Sequence, residues 1–103
     1  MNSETYIDFC FIREGSGRFK EEIDQLLREL FAKIRLNWYL DVKQKDGLEI
    51  VVAEIKGMSK WQSEDELVQF IETNAKEDFW TYLQGYKAFI YPQSKGGKSC
   101  GVR

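Results

Sequence analysis

Hydrophobic and polar positions alternate from Thr5 to Arg13, with Ile7, Phe9 and Phe11 on one side and Tyr6, Asp8, Cys10 and Ile12 on the other. Period two is the signature of a β-strand, so a first strand is expected here. Glu14-Gly15-Ser16-Gly17 breaks the pattern, and Ser16 is the expected N-cap of a helix. From Phe19 the spacing changes. Phe19, Ile23, Leu26, Leu27, Leu30, Phe31 and Ile34 recur at steps of three and four, which predicts one apolar stripe on a long helix. Lys20, Glu21, Glu22, Asp24, Arg28, Glu29 and Lys33 fall between them and face water.

Period two returns after Asn37 through Trp38, Leu40 and Val42, and again from Leu48 to Lys56. Asp46-Gly47 lies between the two runs. A two-residue type I′ turn needs positive φ at both central positions, and Asp-Gly is among the pairs that supply it at least cost. That turn predicts a register with Val42 opposite Val51, Leu40 opposite Ala53 and Trp38 opposite Ile55. All six are apolar and share a face, and a slip by one residue would destroy the agreement. Ser63-Glu64-Asp65-Glu66 then reads as a capping box. It opens a second helix with Leu67, Phe70, Ile71 and Ala75 buried, a break or kink near Asn74 to Glu77, and a stop at Gly85. Tyr86 to Tyr91 is the expected last strand, closed by Pro92.

Strand, helix, strand, strand, helix, strand predicts an α+β fold of the split βαβ, ferredoxin-like kind, with a four-stranded antiparallel sheet and two helices on one face. The first and third strands, apolar on both sides, are expected in its centre. Residues 1-91 form the expected domain, and 92-103 a flexible basic tail rich in Gly, Ser and Lys. Helices covering Phe9, Phe11, Trp38, Leu40 and Val51 leave the other sheet face bare. Tyr6, Cys10, Ile12, Tyr39, Ile50 and Val52 lie there, with Asp8, Asp41 and Glu54 among them. Apolar area of that extent marks a contact surface, so docking of a protein partner or pairing of two copies into a homodimer is expected.

The 103 residues are 43% hydrophobic and 31% charged, an ordinary globular composition with room for one core. The net charge is −2, and it stands near −5 once Lys95, Lys98 and Arg103 of the tail are set aside. An acidic body repels phosphate backbones, which disfavours nucleic acid as a partner. No apolar run approaches the roughly 20 residues that a membrane helix needs, and the first residues lack the pattern of a secretory signal. A cytoplasmic protein without membrane attachment is expected.

Histidine is absent, which removes the usual general base near neutral pH and the commonest zinc ligand. Cys10 and Cys100 share no metal-ligand spacing and read as free thiols. No catalytic residue, metal site or cofactor is expected. Gly15-Ser16-Gly17 lacks the third glycine of a dinucleotide-binding turn. Gly96-Gly97-Lys98-Ser99 has Pro92 where a phosphate loop needs its leading glycine. The acidic stretch from Ser63 to Asp78 is a second candidate contact surface, with Trp61 before it and Trp80 after. Glu64, Asp65 and Glu66 would hasten encounter with a basic partner, and Trp61 and Trp80 would anchor it. These features predict a small non-enzymatic protein-binding module, in its specific form an inhibitor or immunity-type protein. The alternatives are a dimeric α+β-barrel enzyme or ligand-binding protein and an RNA-recognition-like module.

Overall fold

A computed structural model describes residues 3–15 and 17–92. The described residues form an α+β fold, with one four-stranded antiparallel open sheet and three helices. In order these are β1 (Ser3–Glu14), α1 (Phe19–Leu30), β2 (Leu36–Lys45), β3 (Leu48–Ser59), α2 (Glu64–Asn74), α3 (Glu77–Tyr82) and β4 (Leu83–Pro92). The sheet order is β2-β3-β1-β4, so the two strands that are apolar on both sides lie in the centre. The Ser16 cap and the tail beyond Pro92 lie outside the described residues.

The hairpin adopts the register that its turn chemistry demands. Val42 faces Val51, Leu40 faces Ala53 and Trp38 faces Ile55, while Asp46 and Gly47 take φ of 54° and 80°. At the other end of β3, Gly57 passes so close to the Arg35 carbonyl and Leu36 that a Cβ there would collide with backbone.

Ile7, Phe9 and Phe11 of β1 and Val51, Ala53 and Ile55 of β3 are buried beneath Phe19, Ile23 and Leu27 of α1, Leu67 and Ile71 of α2, and Phe79 of α3. Phe9, Phe11 and Phe79 meet edge to face at the centre of this core, the geometry that ring quadrupoles favour.

Four expectations are corrected. The helix before β2 begins on Arg18, in the left-handed region with φ 67° and no side-chain cap, and it ends at Leu30. Phe31 is buried and Ile34 half-buried in the turn that follows, so the apolar stripe outlasts the helix. The helices number three rather than two, because the break expected near Asn74 to Glu77 is complete: Ala75 and Lys76 are extended between α2 and α3. Gly85 is not a helix stop: the helix ends at Tyr82 and the strand begins at Leu83. The capping box forms in altered shape. Ser63 Oγ accepts the Glu66 amide at 3.3 Å, and Glu66 Oε1 accepts the Gln62 amide, one residue earlier than expected, at 2.8 Å.

Two polar clasps hold α1 on the sheet. Arg13 faces Glu49 across the strands and crosses the ring of Phe19 at 4.6 Å. It donates to Glu22 Oε1 at 2.8 Å and to the Gly17 carbonyl at 3.2 Å. Glu49 is only 2% exposed, and Arg13 Nε, 3.8 Å away, is the cation nearest to it among the ion pairs of the described residues. A buried carboxylate stripped of its cation is costly. Arg13→Ala is therefore expected to lower unfolding free energy by about 3 kcal/mol in urea titrations, with part regained when Glu49→Gln is added.

The second clasp joins Trp38 Nε1 to Asp24 Oδ1 at 2.9 Å, while Arg28 donates to the other oxygen at 2.6 Å. The Trp38 hydrogen bond, helped by Arg28 and opposed by partial burial, holds the Asp24 carboxyl below its ordinary value. A depressed carboxyl stabilises the fold above its unfolded pKa and loses that contribution as pH falls through the folded one. Trp38→Phe is expected to cost about 1 kcal/mol at pH 7. The gap from wild type should narrow as thermal unfolding is followed below pH 4.

Candidate functional site

Antiparallel pairing decides what the uncovered face of the sheet presents. Reading across β2, β3, β1 and β4, one row is Asn37, Lys56, Tyr6 and Phe89, and the next is Tyr39, Glu54, Asp8 and Lys87. Asp41, Val52, Cys10 and Gly85 follow, then Lys43, Ile50 and Ile12. Beyond the first row Met58, Glu4 and Tyr91 stand together. Tyr6, Cys10, Ile12, Tyr39, Ile50 and Val52 thus share one face, as their alternation indicated.

The face is divided into zones. At one end, Tyr6 meets Tyr91 edge to face at 5.7 Å, and Tyr91 lies parallel to Phe89 at 6.5 Å. All three rings are 40% exposed or more. At the other end Cys10, Ile12, Ile50 and Val52 make a half-buried aliphatic patch.

A charged belt lies between these zones, and its central members have the same sign. Asp8 and Glu54 are direct cross-strand partners. Neither forms an ion pair or side-chain hydrogen bond among the described residues, with Lys43 or any other cation, although Lys87 is the cross-strand neighbour of Asp8. A recess of about 460 Å³ lies over this pair, bounded also by Tyr6, Asn37, Tyr39 and Lys56. The charge of Glu4, with some burial and a 3.4 Å hydrogen bond from the phenol to Glu4 Oε1, raises the Tyr6 pKa above its ordinary value. Tyr6 therefore remains a neutral phenol through physiological pH.

The helix candidates fare differently. Trp61 is half-buried against Phe70 at 5.1 Å and Phe31 at 6.3 Å. It packs into the core rather than standing free of it. Glu64 Oε2 accepts the backbone amide of Ile90 on β4 at 2.9 Å, and Glu66 caps Gln62. Two of the three acids expected to attract a partner therefore serve the fold. Asp65 is exposed, and Trp80 is 41% exposed beside Phe79.

Phe89, Tyr91, Met58, Lys56 and Lys87 were not foreseen as members of the face. The alternation of Lys87, Phe89 and Tyr91 with Ala88 and Ile90 contains the signal. It becomes readable only once Ile90 is set opposite Thr5, with Thr5 buried and Tyr6 exposed.

In chemical terms this surface can bind. Large rings offer contact area at little entropy cost, and adjacent carboxylates attract cations. No group of three or more potential metal ligands converges among the described residues. Like charges directly opposite in a sheet destabilise it. Glu54 has only Asp8 and Tyr39 directly opposite, whereas Asp8 also has Lys87, so Glu54→Gln is expected to raise unfolding free energy by about 0.5 kcal/mol, measured in urea at low salt, and the gain should shrink at high salt. Comparison with protein-family models, curated proteins and solved structures finds no match to this chain.

Proposed function

We propose that this chain is a non-enzymatic protein-binding module that docks a basic protein on its open sheet face, in the manner of an inhibitor or immunity-type protein. The observation that carries the reading is the composition of that face: exposed, mutually contacting Tyr6, Phe89 and Tyr91 beside the Asp8–Glu54 pair, which forms no ion pair among the described residues. Such rings supply binding energy on desolvation, and a like-charge pair is relieved by a cation from a partner. Self-pairing is less favoured on the same ground. A two-fold axis through the middle of the face would bring the acid pairs of both copies together.

The sheet order, with β1 and β3 central and all helices on one side, supports reading the fold as a split βαβ, ferredoxin-like arrangement. That fold supports many functions, so the argument rests on the surface alone.

Immobilised wild type is expected to retain one saturable protein partner from native lysate. Tyr6→Ala combined with Tyr39→Ala should weaken retention by about tenfold or more at unchanged melting temperature. Charge reversal at Asp8 and Glu54 should slow association, most strongly at low salt. Equal retention by the aromatic double variant would sink the reading, as would retained material that nuclease removes. A dimer that Ile50→Lys dissociates would assign the face to a second copy instead.

A further inference from the structure

β4 is an edge of the sheet, and its outer side is incompletely hydrogen-bonded. In an antiparallel pair, alternate residues turn amide and carbonyl away from the neighbouring strand. Ile90 is one of these, because its amide reaches Glu64 on α2 at 2.9 Å. The same parity turns the amides of Ala88 and Tyr86 outward, and neither finds an acceptor among the described residues. An unpaired strand edge is a template for another strand. Glu64 closes that edge at Ile90, which leaves Gln84 to Phe89 open.

α2 runs beside this edge, and a groove of about 180 Å³ lies between them. Phe9, Val68, Ile71 and Phe79 form its walls, and Trp80 and Tyr86, 41% and 48% exposed, stand at its mouth. Glu72 lines the groove, Asp65 and Glu77 are exposed on the adjoining helices, and Asp78 lines a separate recess against α1. The one cation between Asp65 and Asp78, Lys76, is held by Glu29 at 2.6 Å. The opposite edge differs: β2 carries the exposed Lys43 and Lys45, a common guard against strand addition, whereas the one lysine of β4, Lys87, is set directly opposite Asp8 on the open face.

We infer that the free edge of β4 receives an extended basic segment of a partner protein as an additional strand. Strand alternation then divides the side chains of that segment. The basic set lies on the helix side, its aliphatic stems over the groove beside Trp80 and Tyr86 and its cations toward Glu72 and Asp65, and the apolar set lies against Phe89 and Tyr91 on the open face. A second copy pairing edge to edge would instead set two acidic helix pairs against each other. This rests on the reading of the chain as a protein-binding module and specifies how its partner engages.

The test is amide hydrogen exchange on the full chain with three acetylated, amidated pentapeptides at millimolar concentration. These are Lys-Val-Lys-Val-Lys, the same peptide N-methylated at alternate amides, and Glu-Val-Glu-Val-Glu. The first should slow exchange at both Tyr86 and Ala88 by about tenfold, and the other two should leave it unchanged. Unaltered exchange with the first peptide overturns the inference, as does equal slowing by either control. Protection of both amides without peptide, together with a dimer mass, would give the edge to a second copy and overturn it too. Tyr39→Ala, across the sheet on β2, should leave the peptide effect intact while weakening the native partner. Failure at the edge can therefore be told from failure of the face.

Discussion

The pairing of β1 with β3 is the constraint on which the rest of the structure depends. It runs without a break from Ser3 opposite Ser59 to Glu14 opposite Leu48. A strand has two faces and a period of two, so this single register decides what is buried and what is presented. It stacks Ile7, Phe9 and Phe11 beside Ile55, Ala53 and Val51 for the helices to cover. The same pairing puts Tyr6, Asp8, Cys10 and Ile12 beside Lys56, Glu54, Val52 and Ile50 on the side that stays open. Shifting β1 by one residue would place Asp8 in the core and Phe9 and Phe11 in water, and shifting β3 would bury Glu54 and expose Val51, Ala53 and Ile55. The buried rings therefore enforce the like-charge pair outside: the energy of the core exceeds the modest repulsion between exposed carboxylates.

Much of the chain's acidity works inside the fold. Asp24 ties α1 to Trp38, Glu49 lies under Arg13, Glu66 caps the start of α2, and Glu64 fastens that helix to the edge strand. Each of these carboxylates accepts hydrogen bonds or faces a cation, which offsets part of its lost hydration. Asp8 and Glu54 accept no side-chain hydrogen bond and form no ion pair among the described residues. That contrast separates acids that hold the structure from acids that face outward.

β4 unites the two surfaces. Lys87, Phe89 and Tyr91 belong to the open face, Tyr86, Ala88 and Ile90 turn toward the helices, and the outer backbone stands between these sets. A ligand that pairs with the edge would touch both. The strand joins the sheet with an irregularity opposite Cys10 and Phe11, where Gly85 leaves the Cys10 position uncovered.

Local pattern alone determined the strands, the hairpin register through Asp46-Gly47, the central place of β1 and β3, and the sharing of a face by Tyr6, Tyr39, Cys10, Ile12, Ile50 and Val52. Each follows from periodicity or turn chemistry, which involve near neighbours. The extended break at Ala75 and Lys76 was signalled by Asn74 to Glu77 but depended on docking Phe79 separately from Ile71. Only the tertiary structure decided that Trp61 packs inward on Phe31 and Phe70 and that Glu64 seals the edge at Ile90. It alone brought Phe89 and Tyr91 alongside Tyr6. These contacts join residues far apart in the chain, and no periodicity within one segment encodes which distant segment becomes its neighbour.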